Sequence, residues 1–261
     1  MPILKVNKEI SDRIKILYEQ GNHMYEIGNL LNLSTGTIFY HLKKQNILTR
    51  GVNTSAKTLS FNEDYFENIN TEDRAYFLGL LMADGCNTRS GLSIYIAEKD
   101  AAILSVFSKC INYTGTLKFL KKRRDTQQNQ IYINLHSREF SKKLSSVGIP
   151  PKKTEILEFP CIDENLIHHF IRGYFDGDGS IGTYNNNKVF TIAGNKSFIE
   201  KLQFILIKNC CLNKTKIKDT KNKNIGVFSY CGNIQNNRIK EFLYKDATIY
   251  MERKYDKFIN N

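Results

Sequence analysis

Two aspartates, each followed directly by glycine, close two copies of one largely apolar element: Ala75-Tyr-Phe-Leu-Gly-Leu-Leu-Met-Ala-Asp84-Gly85 and Phe170-Ile-Arg-Gly-Tyr-Phe-Asp-Gly-Asp178-Gly179. Asp84 and Asp178 stand 94 residues apart. A glycine after a helical run can take the left-handed conformation that terminates helices, which predicts each aspartate at a helix C-terminus. Small residues four apart, Gly79 with Ala83 and Gly173 with Gly177, form one smooth face on each helix. Two such faces can touch closely, so the pattern predicts a crossing of the two helices with both carboxylates at the same end. A carboxylate there opposes the negative end of the helix macrodipole by a few tenths to about 1 kcal/mol, and a second one adds repulsion. A divalent cation relieves both, and Mg²⁺ prefers one or two carboxylates completed by phosphate oxygens and water. A calcium loop starting at Asp176 fails, because Ile181 takes the place of the required glycine and Asn187 that of the closing glutamate.

The sequence after each element follows one plan. In the first half, strand patterns at Leu92–Ala97, Gly115–Leu120 and Gln130–Leu135 accompany helical ones near Asp100–Ile111 and Ser137–Ser146. In the second, strands are predicted at Ser180–Tyr184, Lys188–Ala193, Thr215–Lys218 and Gly226–Tyr230, with helices near Lys196–Lys208 and Gln235–Leu243. Strands mixed with helices on one face imply an α+β fold with an internal duplication. Ahead of it, residues 8–45 read as three short helices with a Gly21 break and an Asn32-Leu33-Ser34 turn, the pattern of a helix-turn-helix. Its third helix would pack Ile38 and Leu42 inward and present Thr35, Thr37, Tyr40, His41 and Lys44 for reading DNA. The division predicted is a helical module at 1–50, a connecting segment at 51–69, one half at 70–160 and the other at 161–261.

Among the 261 residues, 38 Lys and Arg face 26 Asp and Glu, a formal charge of +12 that favours a polyanionic partner. No apolar run is long enough for a membrane span and the N-terminus has no signal-peptide core, so a soluble, intracellular protein is expected, with no membrane partner. The six cysteines (Cys86, Cys110, Cys161, Cys210, Cys211, Cys231) contain no C-x-x-C pair, which argues against zinc and against a disulfide framework.

Phe77-Leu-Gly-Leu-Leu-Met-Ala-Asp84-Gly85 and Ile171-Arg-Gly-Tyr-Phe-Asp-Gly-Asp178-Gly179 resemble the two motifs of single-chain LAGLIDADG homing endonucleases, a resemblance that covers residues 70 to 258. It implies two αββαββα units whose saddle-shaped antiparallel sheets follow the DNA major groove. It also implies Asp84 and Asp178 as ligands of two or three Mg²⁺ ions, with Mn²⁺ or Ca²⁺ able to substitute for binding. The carbonyls of Ala83 and Gly177 are further ligands by the same resemblance, and Lys153 and Lys254, with Lys152 or Arg253 as alternatives, are the candidates for the basic residues near the two sites. Met82 departs from the acidic residue usual in the motif, which Asp176 keeps. The activity implied is site-specific hydrolysis of both DNA strands, leaving short 3′ overhangs, by a monomer that accepts a long asymmetric site.

Two basic runs at equivalent places, with Lys118, Lys121, Arg123 and Arg124 in one half and Lys216, Lys218, Lys221 and Lys223 in the other, are expected to flank the groove and contact phosphates. Arg89, Tyr95, Gln130, Tyr132, Asn134, Thr183, Asn185, Lys188, Thr191, Ser229 and Tyr230 are the candidates for reaching base edges. Competing readings are a DNA-binding regulator that has lost cleavage and an RNA-binding intron maturase of the same fold.

Overall fold

A computed structural model describes residues 6–49, 59–122, 124, 126–153, 157–222 and 224–260. The chain divides into two compact units, Met1–Thr58 and Leu59–Asn261. The first contains α1 (Lys8–Glu19), α2 (Met24–Leu31) and α3 (Thr35–Lys44). Each helix start is capped: the Asn7 side chain accepts from Ile10 N, Glu26 accepts from His23 N, and Ser34 Oγ accepts from Thr37 N. Ile14, Tyr18, Ile27, Ile38 and Leu42 form a small closed core. Ile38 and Leu42 thus point inward, as their spacing requires.

In the second unit, the first half runs α4 (Glu72–Asp84), β1 (Gly85–Thr88), β2 (Gly91–Ala97), α5 (Ala101–Cys110), β3 (Lys118–Leu120), β4 (Gln130–Leu135) and α6 (Arg138–Ser146). The second half repeats the order with α7 (Ile167–Asp178), β5 (Gly179–Tyr184), β6 (Asn187–Asn195), α8 (Lys196–Cys210), β7 (Lys218–Asp219), β8 (Ile225–Cys231) and α9 (Asn233–Leu243). A last helix, α10 (Glu252–Ile259), follows. The two antiparallel sheets have matching orders, β1-β2-β4-β3 and β5-β6-β8-β7. The fold is therefore a duplicated α-β-β-α-β-β-α arrangement of the α+β class.

α4 and α7 are buried on almost every side, Ala75 through Met82 in one and Ile167 through Asp176 in the other. A helix apolar on all faces belongs in a core, and these two pack on each other. Their contact explains two glycines. A methyl on Gly79 would lie 2.0 Å from the Phe170 carbonyl oxygen, and one on Gly173 would lie 1.9 Å from that of Tyr76. No side chain fits where the backbones approach so closely.

Several elements differ from the sequence expectation. Gly85 and Gly179 do not take a left-handed conformation; at φ −71° and −86° they are extended and lead straight into β1 and β5. What demands glycine there is space, since a methyl would lie 2.6 Å from the Leu81 carbonyl oxygen in one case and 2.2 Å from the Phe175 ring in the other. β1 is not among the strands expected from sequence, because four residues of Gly-Cys-Asn-Thr carry too little periodicity to register. β3 and β7 are shorter than Gly115–Leu120 and Thr215–Lys218. The segment expected to connect the domains, 51–69, is described only from residue 59, and from there it belongs to the second unit. Tyr65 and Phe66 are buried in that core, and Tyr65 donates to Asp73 at 2.5 Å. Two aromatics in an otherwise polar stretch carry no periodic signal. Among the described residues, no helix is long and apolar enough to cross a membrane.

Candidate metal centre and nucleic-acid interface

The crossing of α4 and α7 brings their C-terminal ends together. A methyl on Gly177 would touch the Ala83 side chain and lie 3.3 Å from Asp84 Oδ2, which places the Asp84 carboxylate against the end of the other motif helix. Both aspartates open to solvent at the helix ends while protein surrounds most of each carboxylate. Burial first, and then the Asp178 charge, push the Asp84 carboxyl up to about 6, against the opposing pull of Lys153, Lys254 and Arg253. Asp178 is also raised by burial, opposed by Lys153, by a hydrogen bond from Tyr174 and by Lys254. Two carboxylates that both resist ionising are what a shared position near one helix crossing predicts.

The two lysines do not point freely into a groove. Lys153 Nζ donates to the carbonyls of Leu81, Met82 and Ala83 at 2.6, 2.7 and 2.8 Å. Lys254 Nζ donates to Phe175, Asp176 and Gly179 at 2.6, 2.6 and 2.7 Å, with Gly177 farther at 3.4 Å. Each ammonium thus satisfies the orphan carbonyls of one motif helix and offsets the negative end of its dipole. Burial lowers both lysines to about 8, held up from lower values mainly by Asp178 and Asp84 for Lys153 and by Asp176 and Asp84 for Lys254. The carbonyl oxygens of Ala83 and Gly177 face these ammonium groups.

The donor set suits a hard cation: two carboxylates and backbone carbonyls, with two ammonium groups beside them. Among the described residues no cluster of three or more His, Cys, Asp or Glu is available to hold a metal. A cation here would need further oxygen ligands from its substrate and from water.

Around this centre each sheet has one face covered by helices and one left open, and register decides which candidates lie on the open side. In the first half, Ser93 pairs with Asn134, Tyr95 with Tyr132, Ala97 with Gln130 and Lys118 with Tyr132. Tyr95, Gln130, Tyr132, Asn134 and Lys118 therefore share the open face, where the Tyr95 and Tyr132 rings stack at 4.8 Å. Arg89 is exposed in the β1–β2 turn, and Lys121 and Arg124 are exposed beyond β3. In the second half, Ser180, Thr191 and Ser229 align across three strands, and the Thr191 and Ser229 hydroxyls hydrogen-bond at 2.9 Å. Lys218 pairs with Val227 on this same side, Lys216 and Lys221 are exposed nearby, and Asn185 sits in the β5–β6 turn.

Three candidates face the other way. Tyr230 is fully buried, paired with Phe190 in the core. Lys188 is buried, and its ammonium donates to the Phe258 carbonyl. Thr183 pairs with Lys188 and shares its side of the sheet, but it is exposed near the end of β5. Alternation fixes this: with Phe190 and Ile192 inward, Lys188 must be inward too. Arg123 and Lys223 lie outside the described residues.

In the first unit, Thr35, Tyr40 and Lys44 are exposed on α3. Thr37 shares a hydroxyl hydrogen bond with Ser34, and His41 Nδ1 lies 3.1 Å from Ser11 Oγ, joining α3 to α1.

The sequence does not reveal the partners of the buried polar residues that support the centre. Arg172, fully buried, donates to Glu72, to the Leu243 and Ile249 carbonyls, and pairs with His169 Nδ1. Asp176 Oδ2 accepts from Tyr76 OH at 2.8 Å and from Met251 N at 2.9 Å. Arg253 meets the Asp100 carboxylate at 2.7 and 2.9 Å. The available signal was an arginine within an otherwise apolar motif helix, which cannot be buried without partners.

Comparison with known proteins bears on the second half in particular: residues 165–241 match the model of the LAGLIDADG-like domain. Two relatives come from Methanocaldococcus jannaschii. One, described as "Probable translation initiation factor IF-2", is 28% identical over 138 residues, 51% of this chain and 11% of that protein. The other, DNA-directed RNA polymerase subunit Rpo1C, is 24% identical over 222 residues, 84% of this chain and 24% of that protein. The chain spans only a small part of each. Similar solved structures include the homing endonuclease I-WcaI bound to its DNA recognition sequence, with TM-score 0.49 and 16% identity over 81% of this chain and 97% of that one. Another is the meganuclease I-SmaMI bound to uncleavable DNA, with TM-score 0.48 and 12% identity over 70% and 86%. The family match runs from just before α7 to α9 and includes Asp178; this chain carries a LAGLIDADG-like domain in its second half, and its first half repeats the same order of elements.

Proposed function

We propose that this chain is a site-specific endonuclease that hydrolyses both strands of duplex DNA with the help of divalent metal ions. The observation that carries the reading is the pairing of Asp84 and Asp178 at the ends of two crossed helices, each end capped by a lysine. Asp84 and Asp178, with the Ala83 and Gly177 carbonyls, would hold Mg²⁺, which when bound neutralises phosphate charge and lowers the pKa of a water nucleophile. The residues of the chain do the rest. Lys153 and Lys254 bring positive charge beside the carboxylates, where a phosphodiester gains charge during in-line attack. The open sheet faces, with Tyr95, Gln130, Tyr132 and Asn134 on one and Thr191 and Ser229 on the other, would read base edges. Lys118, Lys121, Arg124, Lys216, Lys218 and Lys221 would bind phosphates without regard to sequence. Because these faces differ, a monomer would accept an asymmetric site, and the family resemblance implies cuts that would leave short 3′ overhangs. The helical unit, through Thr35, Tyr40 and Lys44, would add contacts to duplex DNA.

The test is Mg²⁺-dependent cleavage of a randomised duplex library by the wild type, Asp84→Asn and Asp178→Asn. Defined double-strand breaks by the wild type alone, with binding retained by the variants, support the reading. Sequence-specific binding by all three with no cleavage by any replaces it with a DNA-binding regulator, and binding of structured RNA far above any duplex replaces it with a maturase.

A further inference from the structure

The two lysine-capped helix ends are matched in outcome but not in how they are built. In the second half, the segment leading to Lys254 is held at four places. Glu72 accepts from Thr248 N, Thr248 Oγ1 and Ile249 N at 2.7, 2.7 and 3.1 Å. Arg172 donates to the Ile249 carbonyl at 2.9 Å and to Glu72 at 2.6 Å. Asp176 accepts from Met251 N, and Tyr76 donates to that same carboxylate oxygen. Arg253 closes the series on Asp100. Three residues past Met251, Lys254 reaches the end of α7.

The duplication offers an internal comparison. At the 94-residue offset that superposes Asp84 on Asp178, Glu72 corresponds to Leu166, Tyr76 to Phe170, Arg172 to Leu78 and Asp176 to Met82. All four of these motif-helix and flanking positions have apolar counterparts. The segment leading to Lys153 is secured differently: the Met82 methyl packs at Gly148, and Asn87 Nδ2 donates to the Ile149 carbonyl at 2.7 Å. The buried network therefore serves one lysine only. Within it, Asp176 is the member whose carboxylate joins α7, the helix that Lys254 caps, to the backbone at Met251, as Glu72 joins α4 to Thr248 and Ile249.

We propose that Asp176 is a positioning residue for one of the two lysines: it fixes the backbone at Met251 so that Lys254 caps α7, while Lys153 and the end of α4 are held without it. This rests on the endonuclease reading only for its consequence in cleavage. The positioning itself is a statement about the lysine and is tested without DNA or metal.

In the metal-free protein, pulse acetylation of lysine amines followed by peptide mass spectrometry reads how often each ammonium leaves its carbonyls. Asp176→Met, which installs the residue of the other half, is expected to speed modification of Lys254 by about tenfold or more while Lys153 changes little. Asp176→Asn, which keeps an acceptor for Met251 N but removes the charge beside Lys254, should speed Lys254 less than Asp176→Met does. Unchanged Lys254 in Asp176→Met, or Lys153 rising in step with it, overturns the proposal. Should Asp176→Met not fold, Asp176→Ala removes the same acceptor with a smaller side chain, and a Lys254 rate equal to wild type in that variant overturns it as well. On a target duplex labelled in each strand, Asp176→Met is expected to slow one strand by about a hundredfold and leave a nicked product, as for a misplaced catalytic neighbour. Equal slowing of both strands counts against the proposal. No cleavage of either strand by the wild type counts against the endonuclease reading, and the acetylation result then decides on Asp176 alone.

Discussion

Replacing Asp84 by asparagine should stabilise the metal-free protein at neutral pH, although the same change is expected to abolish cleavage. A carboxyl whose ionisation moves from 3.8 to about 6 disfavours its charged form in the folded protein by about 3 kcal/mol. The group opens to solvent, which screens this, and about 1 kcal/mol is expected to survive. Asparagine keeps the shape of the neutral acid and removes the charge, so it recovers that amount at pH 7, a rise of about 2 to 4 °C in Tm for a chain of this size. The sign with pH follows from proton counting. Between about 4 and 6 the folded protein holds a proton on Asp84 that the unfolded chain has released, so this group makes the wild type more stable as pH falls through that window. The advantage of Asp84→Asn should therefore be full at pH 7 and vanish near pH 4. Thermal melts of both proteins in EDTA across this range measure the difference, with the other carboxylates common to both. Adding Mg²⁺ should then raise the Tm of the wild type more than that of the variant, since only a native state that binds the ion gains from it. A variant less stable than wild type at pH 7 in EDTA, or a gap that widens on acidification, would refute the placement of Asp84 in a repulsive pair.

Arg172→Met leaves Glu72 without its cation, and urea unfolding should show a loss of about 3 to 5 kcal/mol, since breaking a buried pair strands a charge. Gly173→Ala sets a methyl against the Tyr76 carbonyl and should cost about 3 kcal/mol or more by the same measurement; a cost under 1 kcal/mol would mean the helices do not cross there. The double variant Lys118→Ala, Lys121→Ala should lower the slope of log affinity for DNA against log salt by about 2, with Tm unchanged.

The duplicated fold was legible because each half repeats both its chemistry and its element order. Gly79 and Gly173, Asp84 and Asp178, and the strand patterns at Leu92–Ala97 and Gln130–Leu135 all carried strong local signals. Face assignment was less legible in the second half. Lys188 and Tyr230 look like polar strand residues, yet the apolar neighbours Phe190, Ile192 and Phe228 fix the phase that turns both inward. Phase, rather than residue type, is what decides a face. The supporting network was invisible for another reason. Glu72 and Thr248 are 176 residues apart, and nothing in either sequence neighbourhood names the other.

The pattern of what the halves share and what they do not has a physical logic. Positions where the two helices touch, and positions at their ends, face their own equivalents across the crossing and are constrained in the same way in both copies. Gly79 and Gly173 each accommodate a carbonyl of the opposite helix, so a side chain at either one would separate the helices and move both aspartates. Positions one turn away meet different surroundings, because the segment reaching Lys254 leads into α10, whereas among the described residues no α-helix stands between α6 and α7. There Arg172 and Asp176 find backbone partners at Ile249 and Met251, whereas Leu78 and Met82 meet an apolar interior. A fused duplication can therefore keep a symmetric pair of carboxylates while each lysine is held by its own means, and a single buried substitution can then act on one site without reaching the other.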